Sequence, residues 1–141
     1  MARLIMTTTT PTRAIERTLT ELDYARLRKL TGGQPPQWLS ELVEAADIVD
    51  GHTVSPDTVT MYSRVRCEDL HTGQQQTLTV CYPAHAEPQA GFVSVLSPVG
   101  SSLLGLHSGD VARWRTPQGE EGATKVLAVL FQPEAEGDYT L

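Results

Sequence analysis

A chain of 141 residues, 40% hydrophobic and 20% charged, has the size and balance of one ordinary globular domain with a small appendage. Its longest apolar runs, residues 1–6 and 126–131, are far too short to cross a bilayer, and the N-terminal residues lack the form of a secretory signal, so cytoplasmic residence is expected. Eleven Lys and Arg against seventeen Asp and Glu give a net charge of −6, which argues against a chain built to neutralise nucleic-acid phosphates.

Residues 1–18, with threonine at 7–10 and then Pro11, read as an extension with a short strand near Ala14 and Ile15. The first helix has Thr20 as N-cap, Asp23 three residues on as in a capping box, and Leu19 with Tyr24 at the staple positions. Tyr24, Leu27 and Leu30 recur at helical spacing until Thr31, Gly32 and Gly33 stop it. After Gln34, Pro35 and Pro36 a second helix carries Trp38, Leu39, Leu42, Val43, Ala46 and Val49 on its apolar face, with Gly51 just past its end. The pair predicts a short antiparallel helical hairpin over residues 19–54, each arm roughly 15–20 Å long. Its seam is Leu27, Leu30, Trp38 and Leu42, and its tip holds Gly32, Gly33, Gln34 and Pro35.

From Ser55, Pro56 and Asp57 onward the apolar period becomes near-alternating. Strands are expected at residues 59–61, 63–68, 76–82, 92–96, 111–115 and 125–132. The fold class is therefore α+β, with a twisted, mostly antiparallel sheet and one short helix over residues 55–141. Arg64, Arg66, Arg113 and Arg115 alternate along these strands and read as a solvated face. Cys67 and Cys81 fall on two strands joined through the His71–Gln74 turn, where they could approach one another across a hairpin. With no C-x-x-C they read as reduced, half-buried thiols. His52, His71, His85 and His107 are scattered and outline no metal site. Phosphate-cradling loops, nucleophile elbows and paired catalytic carboxylates are absent, so neither a cofactor nor an enzymatic activity is expected.

The most informative stretch is residues 97–119, SPVGSSLLGLHSGDVARWRTPQG. Pro98 fixes φ and donates no hydrogen bond, so Ser97-Pro98-Val99-Gly100 ends a strand. Ser101 or Ser102 then caps one helical turn carrying Leu103, Leu104 and Leu106. Ser108-Gly109-Asp110 makes a turn, Val111 to Arg115 a strand, and Thr116-Pro117-Gln118-Gly119 another turn. This succession of SP-x-G, apolar turn, GD and P-x-G resembles the C-terminal domain of the Gre-type transcript cleavage factors. The resemblance covers the C-terminal two-thirds of the chain, and the stretches 58–65 and 131–139 strengthen it.

The resemblance implies an FKBP-like fold for residues 55–141. It also implies docking on the coiled coil at the rim of the RNA polymerase secondary channel, through Ser97, Pro98, Val99, Gly100, Ser101, Ser102 and Leu104. Family members that cut RNA carry a much longer N-terminal coiled coil, with acidic residues at its tip that help hold the catalytic magnesium. The tip here, Thr31 to Pro36, has no carboxylate, and its glycines and prolines offer only backbone carbonyls to such an ion. The chain therefore resembles a short-hairpin branch of the family that lacks cleavage activity and is named for regulation of nucleoside diphosphate kinase. By this resemblance the chain is expected to be an RNA polymerase-binding transcription regulator that competes with cleavage factors and cuts nothing itself. On the residues alone, Leu103, Leu104 and Leu106 fit a core as well as an interface, and Pro98 and Gly100 fit a simple turn.

Two other readings stand beside this one. The first is a protein that binds nucleoside diphosphate kinase directly, for which no residue pattern speaks. The second is an FKBP-type prolyl isomerase, which needs an apolar pocket lined by several aromatics. Tyr62, Tyr82, Phe92, Trp114, Phe131 and Tyr139 are spread over different strands, which disfavours it.

Overall fold

In the computed structural model, which describes residues 16–30, 32, 37–116 and 118–140, Thr20 ends a short strand and caps a helix. The strand is Thr18–Thr20 (β1) and the helix Glu21–Leu30 (α1). The Asp23 N–H donates to Thr20 Oγ1 at 3.1 Å, which is one half of the anticipated capping box. The other half is not made, because the Asp23 carboxylate turns away to the Met61 N–H. Glu21 and Asp23 in the first turn and Arg28 and Lys29 in the last complement the helix dipole. Leu27 is fully buried, whereas Leu30, expected in the seam, is 40% exposed.

The second helix, Gln37–Ala45 (α2), buries Leu39 and Leu42 and stops before Ala46 and Val49, which the apolar spacing had assigned to it. Asp47–Val49 (β2) is instead a strand, paired in parallel with β1 in the register Thr18↔Asp47 and Thr20↔Val49. Ile48 and Val49 are β-branched, and the free edge of β1 supplies the ladder that a further helical turn would lack. The expected strand near Ala14, the tip residues Gly33, Gln34 and Pro35, and the side chains of Trp38 and Val43 lie outside the described residues.

Five strands form the main sheet: Arg64–Asp69 (β3), Gln75–Cys81 (β4), Phe92–Ser94 (β5), Val111–Arg115 (β6) and Glu121–Phe131 (β7). Their order is β5-β4-β3-β7-β6. Pairing is antiparallel except at β4–β5, which is parallel. The sheet is thus mostly antiparallel, as expected, and β5 runs parallel to β4 because the single turns Pro83–His85 and Pro88–Ala90 carry the chain back before it begins. Two register shifts along β7, opposite Arg64/Val65 and Arg66/Cys67, curl the sheet.

Residues 59–61, expected as a strand, are not one. The Ser63 N–H donates to the Thr60 carbonyl at 3.0 Å, and Tyr62 between them has φ 67°. Cys67 lies opposite Gln76, and Cys81 is five positions further along β4, roughly 17 Å by strand rise, so the two buried, free thiols are not neighbours. One core joins sheet and helices: Val65, Val80 and Val126 meet Leu103, Leu104 and Leu106, together with Leu19, Leu27 and Leu39. Among the described residues no helix is long and apolar enough to cross a membrane.

Candidate docking surface

Between Ser94 and Leu106 the chain builds one rigid corner. Ser97, rather than Ser101 or Ser102, caps the helix Pro98–Leu103 (α3). Its Oγ accepts the Gly100 N–H at 3.1 Å and donates to the Ser94 carbonyl at 2.7 Å. Pro98 occupies the first turn, where a missing N–H costs nothing. A Cβ on Gly100 would stand 1.9 Å from the Ser94 carbonyl oxygen, so glycine here serves the contact between α3 and β5. The sequence pattern had read it as part of a turn.

The far end of α3 is closed by Arg17. Its guanidinium donates to the carbonyls of Ser102 at 3.1 Å and Leu104 at 2.7 Å, with a longer contact to Ser101. These are carbonyls that a helix end leaves unpaired. Burial lowers the Arg17 pKa from its ordinary value, and the nearby Asp110 carboxylate works against that shift. Asp110 itself accepts the His107 N–H at 2.8 Å and so fixes the turn that starts β6.

The seven residues expected to face a partner divide into two groups. Pro98 is exposed, and Ser97, Val99 and Ser101 are half-buried. Gly100, Ser102 and Leu104 are buried, Leu104 completely, as are Leu103 and Leu106. A six-residue helix lying on a sheet must turn one side inward, and the Ser102 hydroxyl closes on the Val99 carbonyl at 2.7 Å. The surface candidates are thus Ser97, Pro98, Val99 and Ser101. Gly32, the one described tip residue, is exposed, and its N–H donates to the Lys29 carbonyl at 3.1 Å.

The α3 corner borders a groove of about 540 Å³ between α2, α3 and β6. Leu42, Ala45, Leu96, Pro98 and Val111 supply its apolar walls, and Arg113, Trp114 and Arg115 lie along β6. Glu41 is the carboxylate in its lining. Trp114 lies over Gly122, where a Cβ would come within 2.1 Å of the ring, and its buried indole N–H has no partner among the described residues. Arg115 is ion-paired with Glu121, while Arg113 is exposed. Sequence reading missed Leu96 and the β6 residues as site members, because alternating arginines look like any solvated strand.

A second cluster lies where α1 meets the sheet. Asp23 is 1% exposed, and burial pushes its carboxyl up to about 6. The Met61 N–H opposes that shift and the neighbouring Glu134 adds to it. Glu134 accepts the Thr60 hydroxyl at 2.7 Å. Nearby, the Tyr62 hydroxyl bonds His85 Nδ1, and the Tyr62 and Tyr82 rings are 5.8 Å apart. Burial raises the Cys67 thiol to about 11, which leaves it protonated and unreactive. Among the described residues no group of three or more His, Cys, Asp or Glu could hold a metal ion.

Residues 54–131 match the family model of the transcription elongation factor GreA/GreB C-terminal domain. The chain is 38% identical over 103 residues to the regulator of nucleoside diphosphate kinase of Escherichia coli (strain K12), spanning 73% of this chain and 76% of that protein. It is 33% identical over 110 residues to the transcription elongation factor GreA of Desulfovibrio desulfuricans, spanning 78% of this chain and 67% of that one. The solved prokaryotic transcription elongation factor GreA/GreB from Nitrosomonas europaea superposes with a TM-score of 0.68 at 30% identity, covering 84% of this chain and 100% of that one. With its curled five-stranded sheet, the α3 corner and the succession over residues 97–119, this chain belongs to the GreA/GreB family of transcription elongation factors.

Proposed function

We propose that the chain is an RNA polymerase-binding transcription regulator that docks at the coiled coil on the rim of the secondary channel. It competes there with Gre-type cleavage factors and cuts no transcript itself. One observation carries this reading: in a GreA/GreB-family chain, exposed Pro98 and half-buried Ser101 line a groove together with Leu96 and Arg113. Apolar walls with guanidinium groups at the lip suit a helical partner whose apolar ridge is flanked by carboxylates. Ser97 at one end of α3 and Arg17 at the other fix the corner in advance, so docking orders little that is not already ordered.

The lack of cleavage activity rests on the N-terminal part. Read as an antiparallel hairpin, α1 and α2 are ten and nine residues long, so each spans roughly 15 Å, and the tip sequence between them holds no carboxylate. Such an arm neither reaches a distant active site nor offers magnesium the oxygen ligands it needs. On this reading residues 1–18 are an extension, 19–54 the hairpin and 55–141 an FKBP-like docking domain, working in the cytoplasm without a cofactor.

The deciding experiment is gel filtration of the purified chain with core RNA polymerase. Co-elution supports the reading, and separate elution at micromolar concentration overturns it. The name of the Escherichia coli relative favours a second reading, direct binding to nucleoside diphosphate kinase. A pull-down with each purified partner separates the two. For an isomerase there is little support, since among the described residues the groove beside α3 is lined by one aromatic, Trp114.

A further inference from the structure

The sheet face turned away from the core carries a charge that the whole-chain balance hides. Register sets Arg64 beside Thr79 on β4 and Phe131 on β7, and Thr79 beside Phe92 on β5. On the same face Arg66 lies beside Thr77 and Ala128, and Glu68 beside Gln75 and Lys125. Arg64, Arg66 and Lys125 are exposed, as are Gln75 and Thr77, and Phe92 is 37% exposed. The Arg64 guanidinium lies over the Phe131 ring, 5.6 Å from its centroid. Among the described residues, none of Arg64, Arg66 and Lys125 has a carboxylate partner within ion-pair distance. Glu68 beside Lys125 and Glu87, which bridges Phe92, are the carboxylates on this face, and further acidic residues stand at Glu41, Glu44 and Asp47 around α2 and at Glu134, Glu136 and Asp138 in the C-terminal segment.

We propose that this face binds a single-stranded nucleic acid, with bases stacked on Phe92 and on the Arg64–Phe131 pair and phosphates held by Arg64, Arg66 and Lys125. The two rings lie on strands three steps apart, roughly 14 Å across an open sheet. Thr79 and Arg64 lie between them, and Thr77 and Gln75 are exposed two and four residues further along β4. Unstacked bases need aromatic and guanidinium planes, and a phosphate backbone needs cations between them. A duplex presents no free base to the rings, and an acidic peptide would engage the cations and leave the rings idle. None of Arg64, Arg66, Lys125, Phe92 and Phe131 lines the groove beside α3, although its Val111 is paired with Lys125, and the inference goes beyond the docking function without depending on it.

The test is fluorescence anisotropy of the full chain with a labelled single-stranded RNA of about twelve nucleotides. Saturable binding is expected, with the logarithm of affinity falling against the logarithm of salt concentration at a slope of about −2, as for three phosphates on a single strand. Joint substitution Arg64→Ala and Arg66→Ala should weaken binding at least tenfold, and Phe92→Ala, at an exposed position, at least fivefold. Lys29→Ala, in the last turn of α1, should change nothing. Arg64→Lys keeps the charge and loses the planar stack, so it should fall between wild type and the double variant. Absence of saturable binding at low salt overturns the proposal, as does wild-type affinity in Phe92→Ala. Equal affinity for an RNA duplex of the same length, or for a poly-glutamate peptide, would reassign the face to charge alone and overturn it too.

Discussion

The Asp23 carboxylate on α1 accepts the backbone N–H of Met61 at 3.1 Å, a bond that spans 38 residues of sequence. Met61 sits in a turn that Thr60 and Ser63 close through their hydroxyls, 2.8 Å apart, and that Glu134 holds from the C-terminal side. One short side chain thus fastens the helical segment to the sheet, in the position where a capping box would have spent it on its own helix.

That bond sets a pH dependence. Folding raises the Asp23 pKa from 3.8 to about 6, chiefly because the carboxyl is taken out of water. Over that interval the folded chain holds a proton that the unfolded chain has released. The contribution of this group to stability is therefore full below about pH 4 and is lost as pH rises through about 6, with an upper limit of ~3 kcal/mol for a shift of this size. Asp23→Asn keeps an oxygen acceptor for Met61 and removes the charge. It should melt above wild type at pH 7.5, with the difference shrinking toward zero at pH 4.5. A difference independent of pH would show that the buried charge costs nothing.

Gly100 offers a sharper test of the α3 corner. Alanine there would force its Cβ against the Ser94 backbone oxygen, and backbone cannot swing aside as a side chain can. Gly100→Ala should destabilise by ~3 kcal/mol, typical of severe overpacking, and lower Tm by about 10 °C for a chain of this length. Ser101→Ala loses only a bond from the hydroxyl to the Pro98 carbonyl and should stay within about 0.5 kcal/mol of wild type. Thermal melts of the two variants, one residue apart, check both.

Much of this architecture was legible because local signals agreed with global packing. Thr20 caps where a capping residue should, β6 runs over the residues its alternation marked, and the Ser108–Asp110 turn is where glycine and aspartate put it. The failures have physical causes. Ala46 and Val49 continue a helical spacing, but an open edge on β1 recruits residues 47–49 into a ladder that no local pattern encodes. Thr60 and Met61 alternate like a strand, yet Tyr62 adopts a left-handed backbone and the segment folds into a turn around Asp23. The sequence motif marked the region of α3 but began the helix at Ser101 or Ser102 instead of after Ser97, and it could not separate outer residues from inner ones. Serine and glycine occur on either side of a short helix, and only the contact with Ser94 decides.

That division changes which substitutions probe docking. Ser102 is buried, so a charge there would test folding rather than binding. Ser101→Glu introduces a carboxylate at a half-buried position that lines the groove, and Val99→Asp introduces one at a half-buried side chain that also packs against the core. Both should weaken polymerase association at least tenfold, since a repulsive charge costs most where a partner excludes water; Ser101→Glu should move Tm by no more than a few degrees, and Val99→Asp should lower it further because its carboxylate meets the core. Tight binding by both variants, measured by co-elution or surface-immobilised polymerase, would move the interface away from α3.

A chain that keeps the docking corner and lacks an acidic finger should act on cleavage factors by exclusion. Added to a stalled, backtracked polymerase complex, it should release no more short RNA than buffer does, because the tip from Thr31 to Pro36 brings no carboxylate to magnesium. Titrated into a reaction stimulated by a Gre factor, it should slow cleavage. For simple competition the apparent Kd of the Gre factor rises by one plus the ratio of competitor concentration to the competitor's own Kd. A tenfold ratio therefore corresponds to about 1.4 kcal/mol, which suppresses a weakly held factor and leaves a tight one in place. Excess Gre factor should restore the full rate. Ser101→Glu should lose the inhibition along with polymerase binding, whereas Asp23→Asn, at a residue that does not line the groove, should retain it. Inhibition that no excess of Gre factor overcomes would mean a separate site on the polymerase, and the shared-rim model would fail.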